Sequence, residues 1–129
     1  MLNKNDIINI LTKYNFPKNQ YCIISGASMV LQGIKQETND IDISVSQELY
    51  DKLLENNSCI LEKTLPNKKN VWFLDKLNFS TNYYENIEKF EYGGFSIQTP
   101  KDIIKLKKEL NREKDKKDIE LLESFLKEE

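Results

Sequence analysis

YCIISGASMVLQGIKQETNDIDISVS, residues 21–46, is the stretch around which the rest of the chain is arranged. Within it, Asp40-Ile41-Asp42-Ile43 alternates acidic and apolar residues, and a period of two belongs to a strand with unlike faces. Asp40 and Asp42 then project on one side, and Ile41, Ile43 and Val45 on the other. Two carboxylates so placed repel one another when left alone and are well set to share a hard cation. Mg²⁺ suits them, because it takes oxygen ligands, commonly one or two carboxylates together with waters and substrate phosphates.

Residues 21–25 are a short apolar run between breakers and read as a buried strand. Gly26 permits a tight turn after it. The amides of Gly26, Ala27 and Ser28 would then open a helix whose N-terminus favours an anion. Ser25 and Ser28 also serve as plain caps of that helix. Residues 29–32 read as helical, with Gly33 as the left-handed residue that closes the segment. Residues 34–39 form a polar connection, with Thr38 just ahead of the acidic strand.

The pattern SGAS, a short spacer and TNDIDIS resembles the signature of the DNA polymerase β-type nucleotidyltransferase superfamily. It is most similar to the small bacterial branch that includes lincosamide-type nucleotidyltransferases and AbiEii-type toxins. The resemblance implies that Asp40 and Asp42 are the catalytic metal ligands, for Mg²⁺ or Mn²⁺. It implies that Ser25, Gly26, Ser28 and Thr38 bind the nucleotide. The implied reaction moves a nucleoside monophosphate from an NTP to an acceptor hydroxyl of a protein, an RNA such as tRNA or a small antibiotic, releasing pyrophosphate.

A chain of 129 residues has the size of one domain with a real core. Its 39% hydrophobic and 31% charged residues fit a folded globule that meets water. A net charge of −2 sets up no global basic field for nucleic acid, although residues 101–117 are lysine-rich. Two cysteines, Cys22 and Cys59, make no disulfide framework. No apolar run approaches the roughly 18 residues of a membrane span, so the expected location is the cytoplasm, with no membrane partner. Histidine is absent, which excludes Ser-His-Asp and Cys-His catalysis and leaves carboxylates, lysines and tyrosines for chemistry.

Residues 5–14 read as a helix capped by Asn5 or Asp6, with Ile7, Ile10, Leu11 and Tyr14 on one face. Ser46 caps a further helix carrying Leu49, Leu53 and Leu54. A short strand is expected around residues 59–61, and residues 66–70 as an exposed turn. Residues 71–75 and 77–81 are both extended in character and are readable as one long strand with a bend. Residues 90–92 and 95–98 flank Gly93-Gly94 as a hairpin. Thr99-Pro100 starts a helix, and a last one runs from about Lys114. Strands and helices alternate early and a hairpin comes late, so the expected class is α/β (α+β), a small mixed sheet flanked by helices.

Residues 99–122, TPKDIIKLKKELNREKDKKDIELL, resemble the same branch, in which a helix carries a lysine and an Arg-x-Lys-Asp-x-x-Asp element opens the last helix. The matching positions are Lys107, Arg112, Lys114, Asp115 and Asp118. Lys107 and Lys114 are expected to neutralise a triphosphate, and Arg112 to clamp a phosphate or pair with Asp115. The same charges are also readable as the solvated faces of two helices. Active relatives add a third carboxylate from a neighbouring strand; the best-placed stretch here, Leu77-Asn78-Phe79, offers an amide, with Asp75 and Glu85 flanking it.

Three functions are compatible with these residues: an active nucleotidyltransferase, a catalytically weak domain that binds nucleotide or protein in a toxin–antitoxin or phage-defence pair, and, more distantly, a nucleotide-sugar glycosyltransferase using Asp-x-Asp. The small size suggests a minimal catalytic domain that borrows its acceptor surface from a second copy or a partner protein, with Trp72, Tyr83, Tyr84 and Tyr92 as candidate contacts, although core burial is the expected fate of Trp72.

Overall fold

The computed structural model describes residues 1–128. The first helix, α1, is Lys4–Tyr14. Asn3 caps it, accepting from the Asp6 amide at 3.0 Å, while Asp6 accepts from the Asn3 amide at 3.0 Å. That reciprocal pair is a capping box, so Asp6 sits at the third helical position and neither it nor Asn5 is the cap. Asn15, left-handed at φ 49°, closes the helix, and Ile7 and Leu11 are its buried face.

Strand β1, Tyr21–Ile23, runs into helix α2, Ser25–Leu31. This helix starts at Ser25, one residue ahead of the amides of residues 26–28 expected to open it, and runs to Leu31. Residues 27–31 are all buried, so no polar face gave the segment a helical period. The sharp turn lies at Ser25, which adopts φ 55°, and not at Gly26. Gly26 is required for another reason: a Cβ there would meet Thr38 Oγ1 at 2.7 Å. At the far end Gly33 (φ 76°) does close the segment; its N–H donates to Val30 O at 3.0 Å and that of Ile34 to Met29 O at 2.9 Å.

Strand β2 is Ile41–Val45, and helix α3, Gln47–Asn56, follows with Ser46 as its cap. Strands β3 (Ile60–Thr64), β4 (Asn70–Leu74) and β5 (Leu77–Ser80) form an antiparallel meander. Residues 71–81 are therefore two strands and not one bent strand. The reversal is made by Asp75 (φ 47°) and Lys76 (φ 72°), successive left-handed residues with no glycine to announce a hairpin turn. Strands β6 (Lys89–Tyr92) and β7 (Phe95–Gln98) pair across Gly93-Gly94 as expected, with both glycines at positive φ. Helix α4, Pro100–Leu110, takes Thr99 as its cap. A 3-10 turn, Glu113–Asp115, then precedes helix α5, Lys116–Lys127, which starts two residues later than the sequence suggested.

The seven strands form one mixed sheet in the order β3-β4-β5-β2-β1-β7-β6. β2 pairs parallel to β5 and β1 parallel to β7, and the remaining neighbours are antiparallel. The class is the expected α/β. Ile41, Ile43 and Val45 on β2 are buried with Ile7, Leu11, Val30 and Leu53, so the apolar side of the acidic strand faces α1, α2 and α3. Met29 packs with Ile103 and Leu122, which ties α4 and α5 to α2.

Candidate functional site

Strand pairing brings the two halves of the opening signature together. β1 lies antiparallel to β2 with Ile23 opposite Ile43, and the Ile24 N–H donates to Asp42 O at 3.0 Å. The turn at Ser25-Gly26 therefore starts beside the acidic strand. On the other side of β2, the parallel pairing with β5 puts Asn78 opposite Asp42.

Ser25, Gly26, Thr38, Asp40, Asp42, Lys107 and Lys114 all line one polar cavity of about 330 Å³. Ser28 does not. It is fully buried, donates its hydroxyl proton to Gln98 O at 2.8 Å and accepts from Gln32 Nε2 at 3.1 Å, so its place among the nucleotide-binding residues is withdrawn. Periodicity gave no warning, because the partner that buries Ser28 lies on β7.

Among the described residues, Asp40 and Asp42 make no ion pair. Asp40 accepts from Asn78 Nδ2 at 2.7 Å. Burial, and then the Asp40 charge beside it, push the Asp42 carboxyl up to about 6, against a weaker downward pull from the Asn78 amide, Lys63 and Lys107. Asn78 Oδ1 is buried without a hydrogen-bond partner. Two carboxylates and an unsatisfied amide oxygen fit a single hard cation that completes its shell with water or phosphate. Among the described residues no three Asp, Glu, Cys or His side chains are grouped to hold a metal. Asn78 thus stands where a third acid was sought; Asp75 is turned away to Lys13 and Tyr14, and Glu85 does not line the cavity.

The cationic wall differs from expectation. Lys107 is only 5% exposed and is held by Asp115 at 2.9 Å and Asp118 at 3.5 Å. Arg112 Nε bonds Asp115 Oδ2 at 2.6 Å, and Lys35 bonds Asp118 at 3.1 Å. Burial alone would raise the Asp115 carboxyl, but the bonds from Arg112 and Lys107 outweigh it and hold the group below the usual carboxylate range. Arg112 therefore pairs with Asp115, the second of its two expected roles. The cavity's cations without an ion-pair partner among the described residues are Lys114 and Lys63.

Lys63, its neighbour Glu62, Lys35 and Asn39 also line the cavity and were not singled out from the sequence. Glu62 and Lys63 carried a signal only in three dimensions, treated below.

A family model described as "Nucleotidyltransferase of unknown function (DUF6036)" matches residues 3–127. The chain belongs to that family. No curated protein and no solved structure matches it. Among the described residues of this nucleotidyltransferase-family member, no helix is long and apolar enough to cross a membrane.

Proposed function

We propose that this family member is a Mg²⁺-dependent nucleotidyltransferase that moves a nucleoside monophosphate from an NTP to an acceptor hydroxyl with release of pyrophosphate. The supporting observation is the meeting of two carboxylates free of ion pairs with the Ser25-Gly26 turn in one polar cavity. Asp40 and Asp42 hold the cation, for which Mn²⁺ is an equivalent, and the Asn78 amide fixes the Asp40 carboxylate. The bound ion supplies charge neutralisation on the phosphates. Ser25 Oγ and the Gly26 amide seat phosphate oxygens, Thr38 closes against Gly26, and Lys114 and Lys63 bring positive charge. Lys107 acts through Asp115 and Asp118, setting the wall and not the phosphate. Catalysis in such a site comes mainly from positioning and electrostatics.

The finer assignment follows the lincosamide-type and AbiEii-type branch: an acceptor on a protein, a tRNA end or a small antibiotic, with a second copy or partner protein completing the acceptor surface in a toxin–antitoxin or phage-defence setting. The free thiols of Cys22 and Cys59 accord with a cytoplasmic location.

One observation favours a second reading, nucleotide or protein binding without turnover: Asn78, which cannot accept a proton near neutral pH, occupies the register position opposite Asp42. The deciding experiment follows thermal stability with Mg²⁺ and each NTP, then pyrophosphate release. Native-state binding raises the melting temperature by mass action. The proposal expects both signals in the unsubstituted chain and neither in the Asp40→Ala, Asp42→Ala double variant. A thermal response without pyrophosphate selects the binding module; a response that survives in the double variant rejects the site.

A further inference from the structure

Glu62 and Lys63 are consecutive residues of β3, yet both line the cavity. A regular strand sends successive side chains to opposite faces. β3 escapes that rule because its pairing with β4 slips: Leu61 stands opposite Trp72 and Lys63 opposite Val71, leaving Glu62 as the extra residue of a bulge. Bulges recur beside active sites, where they re-aim a side chain.

Five carboxylates line the cavity. Asp115 and Asp118 are engaged by Lys107, Arg112 and Lys35. Asp40 and Asp42 are the pair assigned to the cation. Glu62 remains, and among the described residues it makes neither an ion pair nor a side-chain hydrogen bond. It is not grouped with the aspartates as a third metal ligand. The sheet order sets β2, β5 and β4 between β1, which leads to Ser25, and β3, which carries Glu62.

We infer that Glu62 is the general base of the transfer, serving where Asn78 cannot. This rests on the transfer reading above. The acceptor enters on the β3 side, its oxygen bonds to the α-phosphorus, and the bond from that phosphorus to the β-phosphate bridging oxygen breaks. Pyrophosphate leaves towards Ser25 and Lys114, and the hydroxyl proton passes to the Glu62 carboxylate and on to solvent. Entry and departure on opposite sides of the aspartate pair match an in-line displacement.

The test measures pyrophosphate release from each NTP with water and glycerol as hydroxyl probes, alongside NTP·Mg²⁺ affinity by calorimetry. Glu62 is exposed, so Glu62→Gln keeps the fold, which its melting temperature verifies. The expected result is a loss of turnover of at least about 100-fold, with NTP affinity within about twofold, the scale of a lost base. Adding Asn78→Asp to Glu62→Gln restores turnover at least about tenfold, because a carboxylate then stands opposite Asp42. Turnover unchanged in Glu62→Gln while the Asp40→Ala, Asp42→Ala variant is dead overturns the role of Glu62 and leaves the transfer reading standing. Affinity that falls with turnover overturns it as well, making Glu62 a ligand-holding group. No pyrophosphate from the unsubstituted chain overturns transfer and base together.

Discussion

Asp42 releases its proton only near pH 6 in the folded chain, against 3.8 for an ordinary aspartate. Between those values the folded state binds a proton that the unfolded state does not, so this residue makes stability fall as pH rises through the window. At neutral pH its charge costs on the order of 2–3 kcal/mol when no cation is bound. Asp42→Asn is therefore expected to stabilise the chain by about that amount at pH 7.5 and hardly at all at pH 3, below both values, measured by urea unfolding. Equal effects at both pH values would dismiss burial as the cause. Mg²⁺ is expected to stabilise the unsubstituted chain at pH 7.5 and not the variant. At this scale the aspartate pair was legible because a two-residue alternation is local information. Asn78 was singled out through the resemblance, which implies a further acid on a neighbouring strand, and the β2–β5 pairing is what selects it over Asp75 and Glu85. Ser28 was misread because its burial depends on Gln98, seventy residues along the chain.

Elements whose ends carry a chemical signal were readable: Ser46 and Thr99 as caps, Gly33 as a helix stop, Gly93-Gly94 as a hairpin turn. The β4–β5 reversal was not, since Asp75 and Lys76 adopt positive φ without the glycine or asparagine that marks such turns. Left-handed backbone costs an ordinary side chain about 1–2 kcal/mol. Lys76→Gly should thus stabilise the chain by about 1 kcal/mol in urea unfolding, while Asp75 keeps its bonds to Lys13 and Tyr14. The turn matters to the site because Lys76 O accepts the Ile41 N–H at 2.8 Å, which sets β5 in register with β2 and so puts Asn78 opposite Asp42. The bulge at Glu62 was equally hidden, because no residue type announces a slipped strand pairing.

Across the whole molecule, the ion cluster of Lys107, Asp115, Arg112, Asp118 and Lys35 joins α4, α5 and the connection after α2. The sequence left these readable as phosphate-facing charges, as an Arg112–Asp115 pair or as solvated helix faces, and only the docking of α4 and α5 on α2 turns Lys107 inward. Removing one member leaves buried charge uncompensated, so Lys107→Met is expected to cost about 3–5 kcal/mol at pH 7. Asp115, whose folded proton affinity is lowered, adds stability above the ordinary carboxylate range that disappears as pH falls through its folded value. The loss from Lys107→Met should therefore shrink in acid, which urea titrations between pH 3 and 7 would detect; a pH-independent loss would argue against the charge origin. One further joint spans the chain. The Ser25 N–H donates to Gln98 Oε1 at 2.9 Å, and Gln98 Nε2 is in turn anchored by Asp102 at 2.9 Å, so the strained left-handed serine is held by the end of β7 and the first turn of α4. A nascent chain leaving the ribosome thus carries both aspartates long before it can make its phosphate-facing corner, and a fragment stopped ahead of residue 98 would keep the acids but lack the clamp that shapes their neighbour.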